Sequence, residues 1–172
     1  MISILLLLLL VPSTLAGQSG AARKATPATR PAAASAPVLQ VPLGDSAARK
    51  WMRSGWNQDE KAGDEKWVWS QGPSSVIEVP LPQGRNLQMT IKCRPYVYPG
   101  SPAQTITVEL NGTKVTTVTL RAGVQTYSFP LPKAAVRDVN KFEFRYGYST
   151  NLVIESDTMY SQDVWISDPT IR

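Results

Sequence analysis

The chain has 172 residues, a net charge of +5, one cysteine and no histidine, which is enough for one ordinary domain with appendages and too little for two full cores. A single cysteine excludes an internal disulfide, and the lack of histidine excludes imidazole triads and His-based metal sites. The charge is uneven: before Ser54, Arg23, Lys24, Arg30, Arg49, Lys50 and Arg53 stand against Asp45 alone, whereas twelve Lys and Arg balance twelve Asp and Glu after it. A neutral folded part behind a basic segment argues against a nucleic-acid partner.

The opening "MISILLLLLLVPSTLA", residues 1–16, reads as an export signal, with Thr14 and Ala16 at the spacing a signal peptidase cuts. It predicts an extracytoplasmic protein: periplasmic, at the cell surface or secreted. An uncleaved anchor is the alternative, although the apolar run ends near Leu15, short of the roughly 20 residues a bilayer core requires. Residues 17–50 are rich in Ala, Pro, Thr and Ser. They offer too little apolar surface to offset the entropy of ordering, so a disordered or polyproline linker is expected before a domain at 51–172.

The acid-rich segment "NQDEKAGDE" carries Asp59, Glu60, Asp64 and Glu65 interleaved with Lys61. It reads as a solvated loop. Its carboxylates lack the regular spacing of a calcium loop, and calcium binding or paired-carboxylate glycoside hydrolysis are the weaker readings. No cofactor or metal is expected, and no P-loop, dinucleotide fingerprint or Gly-x-Ser-x-Gly elbow occurs.

From Lys66 onward, short runs of period two alternate with Gly, Pro, Asn and Asp clusters, as in an antiparallel sandwich. Strands are expected at Lys66 to Ser70, Ser75 to Val79, Asn86 to Cys93, Gln104 to Leu110, Thr113 to Leu120, Gln125 to Phe129, Lys141 to Gly147, Leu152 to Glu155 and Asp163 to Ser167. Trp67 and Trp69 share one face of the first, which could form a ligand platform or fill a core; a strand this early in a sandwich is expected to turn that large face into the core, and core is the reading taken. Cys93 ends the apolar alternation Leu87, Met89, Ile91 and should also point inward. In "TVELNGTKV", Asn111-Gly112 supplies the two positive φ angles of a type I′ hairpin, and the apolar phase beyond it requires a bulge near Thr116 or Thr117. Asn111 also opens a glycosylation sequon, but Asn-Gly is what the turn itself requires. Two Pro-Leu-Pro segments, Pro80 to Pro82 and Pro130 to Pro132, mark strands leaving a sheet at its edge, because proline cannot donate to the ladder. Only "PKAAVRD" could form a helical turn.

The succession "GWNQDE", "KWVWSQGPSSVIEVPLP", "TVELNG", "YSFPLP", "NKFEFRYGY" and "SDTMYSQDVWISDPTIR" resembles the jelly-roll accessory domains of bacterial extracytoplasmic, polysaccharide-related proteins, in the galactose-binding-like class of β-sandwiches. The resemblance covers about Gly55 to Arg172. It implies an all-β, antiparallel, jelly-roll-like sandwich of about eight or nine strands, with Trp67 and Trp69 on a core strand and an opening loop around Gly55, Trp56 and Glu60. Many of those domains have proline before the acid, where this chain has Asp59. The class holds sugar binders and purely structural members.

The candidate ligand-binding residues are Trp165, Tyr96, Tyr98, Tyr148 and Arg94. Trp165 alternates with Asp163 and Ser167, opposite the apolar Val164 and Ile166. An outward Trp beside a carboxylate and a hydroxyl suits sugar stacking, and edge packing explains it equally well. Tyr96 and Tyr98 lie between Pro95 and Pro99 with Arg94 as a neighbouring donor. Tyr148 follows Phe142, Phe144 and Tyr146 to the rim, where its hydroxyl could meet a sugar or a loop carbonyl. These readings favour an exported, non-catalytic module whose partner is a carbohydrate or other envelope component. The alternative is a structural or protein-interaction domain of the envelope without a small ligand, and the distant one a glycoside-active enzyme.

Overall fold

The computed structural model describes residues 37–149 and 157–170, apart from the side chains of 157 and 158; the expected export signal and the Leu152 to Glu155 strand lie outside them. Among the described residues ten strands form: β1 (Pro37–Val41), β2 (Trp56–Ala62), β3 (Glu65–Gln71), β4 (Ser74–Pro80), β5 (Gln88–Pro95), β6 (Thr105–Leu110), β7 (Thr113–Thr119), β8 (Gln125–Pro130), β9 (Val139–Tyr146) and β10 (Asp157–Ser167). One sheet runs β2-β3-β10-β5-β8 with β1 also on β10, and the other runs β4-β9-β6-β7. Every pairing is antiparallel. Counted from β3, consecutive strands alternate in pairs of sheets as 3-10-5-8 and 4-9-6-7, which is the jelly-roll arrangement.

The period-two patterns lie where they were read. Along β5, Met89, Ile91 and Cys93 are buried while Gln88, Thr90 and Lys92 are partly open. Burial pushes the Cys93 thiol up to about 12, so the inward end of that strand is chemically quiet. The two inner faces meet through Val68, Ile91, Val164 and Ile166 on one side and Ile77, Val108, Phe142 and Phe144 on the other. Leu81 and Leu131, the centres of the Pro-Leu-Pro segments, are both buried. They follow β4 and β8, edge strands from which the chain crosses to the opposite sheet.

Asn111 and Gly112 have φ of 52° and 82°, and the Asn111 side chain accepts from Lys141 N at 2.9 Å while donating to Ala135 O at 2.8 Å. Its amide is thus used to tie the hairpin to the body of the sheet. The bulge falls at Val115, one residue before the expected stretch, since Glu109 faces Lys114 and Val108 faces Thr116. The expected helical turn appears as a short 3-10 turn at Lys133–Ala135.

Three expectations are corrected. The ordered part begins before residue 51: β1 lies on β10, and Val41, Leu43 and Ala48 are fully buried. These few apolar residues are too sparse to signal a strand alone, but an unpaired half of the eleven-residue β10 supplies the partner. Gly44, at φ +86°, lies so close to the Trp67 backbone that a Cβ there would collide with it. Secondly, the acid-rich segment is no loop; residues 56–62 form β2 against β3, and Arg49 pairs with Asp59 at 2.8 Å. The third correction concerns Trp67 and Trp69, and it builds the site.

Candidate functional site

Neighbouring strands share a pleat phase, so the register of β3, β10 and β5 decides which side each residue faces. Val68, Ser161 and Cys93 stand opposite one another across the three strands, and all are fully buried between the sheets. Trp69, Tyr160 and Arg94 form the next row. They therefore face the other way, off the outer side of the sheet, and Trp67 faces outward with them. The expected core position of the Trp pair is overturned: the smaller Val68 and Ser70 point inward, and the indoles do not.

The outer aromatic side chains form a connected strip. Trp67 stacks on Tyr160 with centroids 5.3 Å apart, and Trp69 meets Tyr160 edge-on at 5.6 Å. Contacts continue from Trp69 to Tyr96 at 6.0 Å, Tyr96 to Tyr98 at 6.3 Å and Tyr98 to Tyr148 at 6.0 Å. The Arg94 guanidinium lies 4.6 Å from the Tyr160 centroid and 5.3 Å from that of Trp69, within cation–π range. Tyr160 and Trp69 are only 3% and 9% exposed, whereas Tyr98 is 39% exposed. The strip thus has a covered base and a more open rim.

Polar contacts fix the base. Trp67 Nε1 donates to Glu60 Oε2 at 3.0 Å. Tyr160 Oη and Gln162 Nε2 both donate to Glu65 Oε1 at 2.7 Å. Burial, followed by the neighbouring Glu65 carboxylate, holds the Tyr160 phenol above its ordinary range. Gln162 is the extra residue of a bulge, because Ser161 faces Cys93 and Asp163 faces Lys92; it puts Gln162 beside Tyr160. This end of the strip opens into a shallow cleft of about 490 Å³ lined by Asp45, Glu65, Lys66, Lys92, Gln162 and Asp163. At the other end, Gln104 clamps the backbone of Tyr148 through its amide, at 2.7 and 3.1 Å, and Tyr148 Oη donates to Tyr96 O at 2.7 Å. The Tyr148 hydroxyl is spent on a loop carbonyl, leaving its ring as the available surface.

Of the sequence candidates, Arg94, Tyr96, Tyr98 and Tyr148 come together. Trp165 does not join them: it sits farther along β10 opposite Thr90 and Gln40, and no ring contact links it to the strip among the described residues. It does face outward, with Val164 and Ile166 buried beneath it. Trp67 and Trp69, for which a ligand platform was the weaker reading, and Tyr160, which the sequence did not bring forward, form the base of the strip. A second cleft of about 520 Å³ runs past Arg49, Trp56, Asp59 and Gln71, but its charged groups Arg49 and Asp59 satisfy each other.

No protein-family model and no curated protein matches the chain. Solved structures of similar outline include a CBM4 structure (19% identity, 67% of this chain and 77% of that one, TM-score 0.45). A family 35 carbohydrate-binding module from an environmental isolate shares 11% identity over 76% of this chain and 93% of its own, with a TM-score of 0.48. A CBM29-2 mutant complexed with cellulohexaose shares 9% over 75% and 88%, with a TM-score of 0.46.

Proposed function

We propose that this chain is an extracytoplasmic, non-catalytic module that binds a carbohydrate on the outer face of its first sheet. The observation that carries the reading is the outward row of Trp67, Tyr160, Trp69 and Arg94, continued by Tyr96, Tyr98 and Tyr148. A solvent face normally carries polar side chains, and a connected set of rings there is a surface prepared for a ligand with apolar faces. Sugar rings have such faces, and their hydroxyls need hydrogen-bond partners at the ring edges, for which Arg94 supplies donors. The covered Trp69 and Tyr160 hold the rim rings in place before binding, which lowers the ordering cost. The carboxylates of Asp59, Glu60 and Glu65 are already engaged with Arg49, Trp67 and Tyr160, which supports binding rather than hydrolysis.

A panel of soluble plant and bacterial polysaccharides in affinity electrophoresis tests it. At least one should retard the native chain, and Tyr98→Ala should weaken that retention about tenfold, as loss of an anchoring ring does, with no change in melting. Failure of every polysaccharide to bind, or an unaltered Tyr98→Ala variant, overturns it. A protein partner is the second reading, favoured by the mixed tilts of the rings: Tyr96 and Tyr98 meet at 36° and Tyr98 and Tyr148 at 88°, so the rim is no single flat platform.

A further inference from the structure

Three arginines of the described residues end on carboxylates: Arg49 on Asp59 at 2.8 Å, Arg53 on Glu78 at 2.7 Å, and Arg145 on Glu143 and Glu109 at 2.8 and 3.3 Å. Arg94 is placed differently. Its guanidinium lies over the Tyr160 and Trp69 rings, and no ion pair or hydrogen bond joins it to another described residue. The nearby carboxylate of Glu65 already accepts from Tyr160 and Gln162 through one oxygen. Lys92, two residues before Arg94 on the same face of β5, stands opposite Asp163, which partly offsets its charge. A stacked guanidinium keeps its planar fork of N–H donors in one orientation and is weakly hydrated, so little is lost when it takes a carboxylate through two parallel hydrogen bonds. Rings for a sugar face lie beside it in Tyr96 and Tyr98.

We propose that the strip selects acidic saccharides, with Arg94 taking the carboxylate of a uronic acid residue while that sugar or its neighbour stacks on Tyr96 and Tyr98. This rests on the carbohydrate reading above and narrows it to a substrate class. The neutral rim alone would accept many sugars. The fixed cation prefers those with a carboxylate in the ring plane.

The test is titration calorimetry on the native chain with oligogalacturonates and alginate oligosaccharides, each beside its carboxyl-reduced, neutral counterpart, and with neutral glucan, mannan and xylan oligosaccharides as a reference set. At least one acidic oligomer should bind about tenfold or more tightly than its reduced form, since a bidentate charged contact is lost on reduction. The preference should shrink as salt rises, because a partly exposed ion pair is screened. Arg94→Gln should remove the preference for the acidic over the reduced form, and Arg94→Lys should retain a part of it. Equal affinity for acidic and reduced forms, or binding confined to neutral oligomers, overturns the selection by Arg94 and leaves the carbohydrate reading standing. No binding to any member of either set overturns both. The paired comparison needs only the native chain, so it stands even if an Arg94 variant folds poorly.

Discussion

The outer faces of the two sheets are built on opposite plans. On the β4-β9-β6-β7 sheet, Lys141 pairs with Glu143 at 3.1 Å, Arg145 bridges Glu143 and Glu109, and Thr107 and Thr117 share a hydrogen bond of 2.9 Å across β6 and β7. Each charge there has a neighbour of opposite sign, as an ordinary solvent face requires for solubility and for cross-strand compatibility. On the other sheet the corresponding row is Trp67, Tyr160, Trp69 and Arg94, with the cation set against rings instead of a carboxylate. Both faces belong to half-buried antiparallel sheets over one core. The difference lies in what occupies each outer face: paired charges on one side, and on the other rings with a cation laid against them.

The strongest test of the inner side that both faces share is Cys93. With the thiol buried and held near 12, native labelling at pH 8 should run at least about a thousandfold slower than labelling in denaturant, because reaction then waits on rare opening. Fast native labelling would invert the pleat of β5 and carry the aromatic row inward with it. Starting the chain at Arg49 should come next in size. It removes β1 with the buried Val41 and Leu43, and two such losses should cost over about 4 kcal/mol in a denaturant melt, whereas a chain that starts at Ser35 should keep the full midpoint. An unchanged midpoint on starting at Arg49 would return residues 37–48 to the role of a spacer.

Smaller effects separate the two outer faces. Trp69→Ala should cost about 2–4 kcal/mol despite its outward direction, since the ring is largely covered by Tyr160, Tyr96 and Arg94; a loss below about 1 kcal/mol would mean that the base of the strip is loosely held. On the charged sheet, Arg145→Ala should change stability by under about 1 kcal/mol, its ion pairs being half exposed, and should leave polysaccharide retention as it was. A drop in retention would move the site to the wrong sheet. Smallest is the pair beside the strip, Lys66 and Asp45 at 2.6 Å. The hydrogen bond from Lys66 holds the Asp45 carboxyl below its ordinary range, so its contribution is present above the unfolded-state value near 4 and fades as pH falls through the lower folded value. Asp45→Asn should flatten the acid limb of the melting-point profile over that window, slightly; an identical profile would show that the pair contributes nothing.

Local chemistry determined much of this molecule. Asn111-Gly112 dictates the hairpin because few other pairs accept two positive φ angles, and each Pro-Leu-Pro ends a ladder for want of an N–H. The alternation from Leu87 to Cys93 determined its own pleat, since only one of its two sets is apolar. The sequence could bring Arg94, Tyr96 and Tyr98 forward as candidates because they stand at a strand end beside Pro95 and Pro99, and Tyr148 because it follows Phe142, Phe144 and Tyr146 to the rim. In "KWVWS", however, both alternating sets could be buried, and size favoured the indoles. The choice was made by register: β10 and β5 lock Val68 opposite Ser161 and Cys93, so Trp69 must share a side with Tyr160 and Arg94. The same holds for β1, whose few apolar residues become a strand only against β10, at the far end of the chain. Strand formation is largely a local property, but which face is inner is a property of the neighbours, and in this protein that choice puts the indoles on the outer side of the sheet instead of in the core.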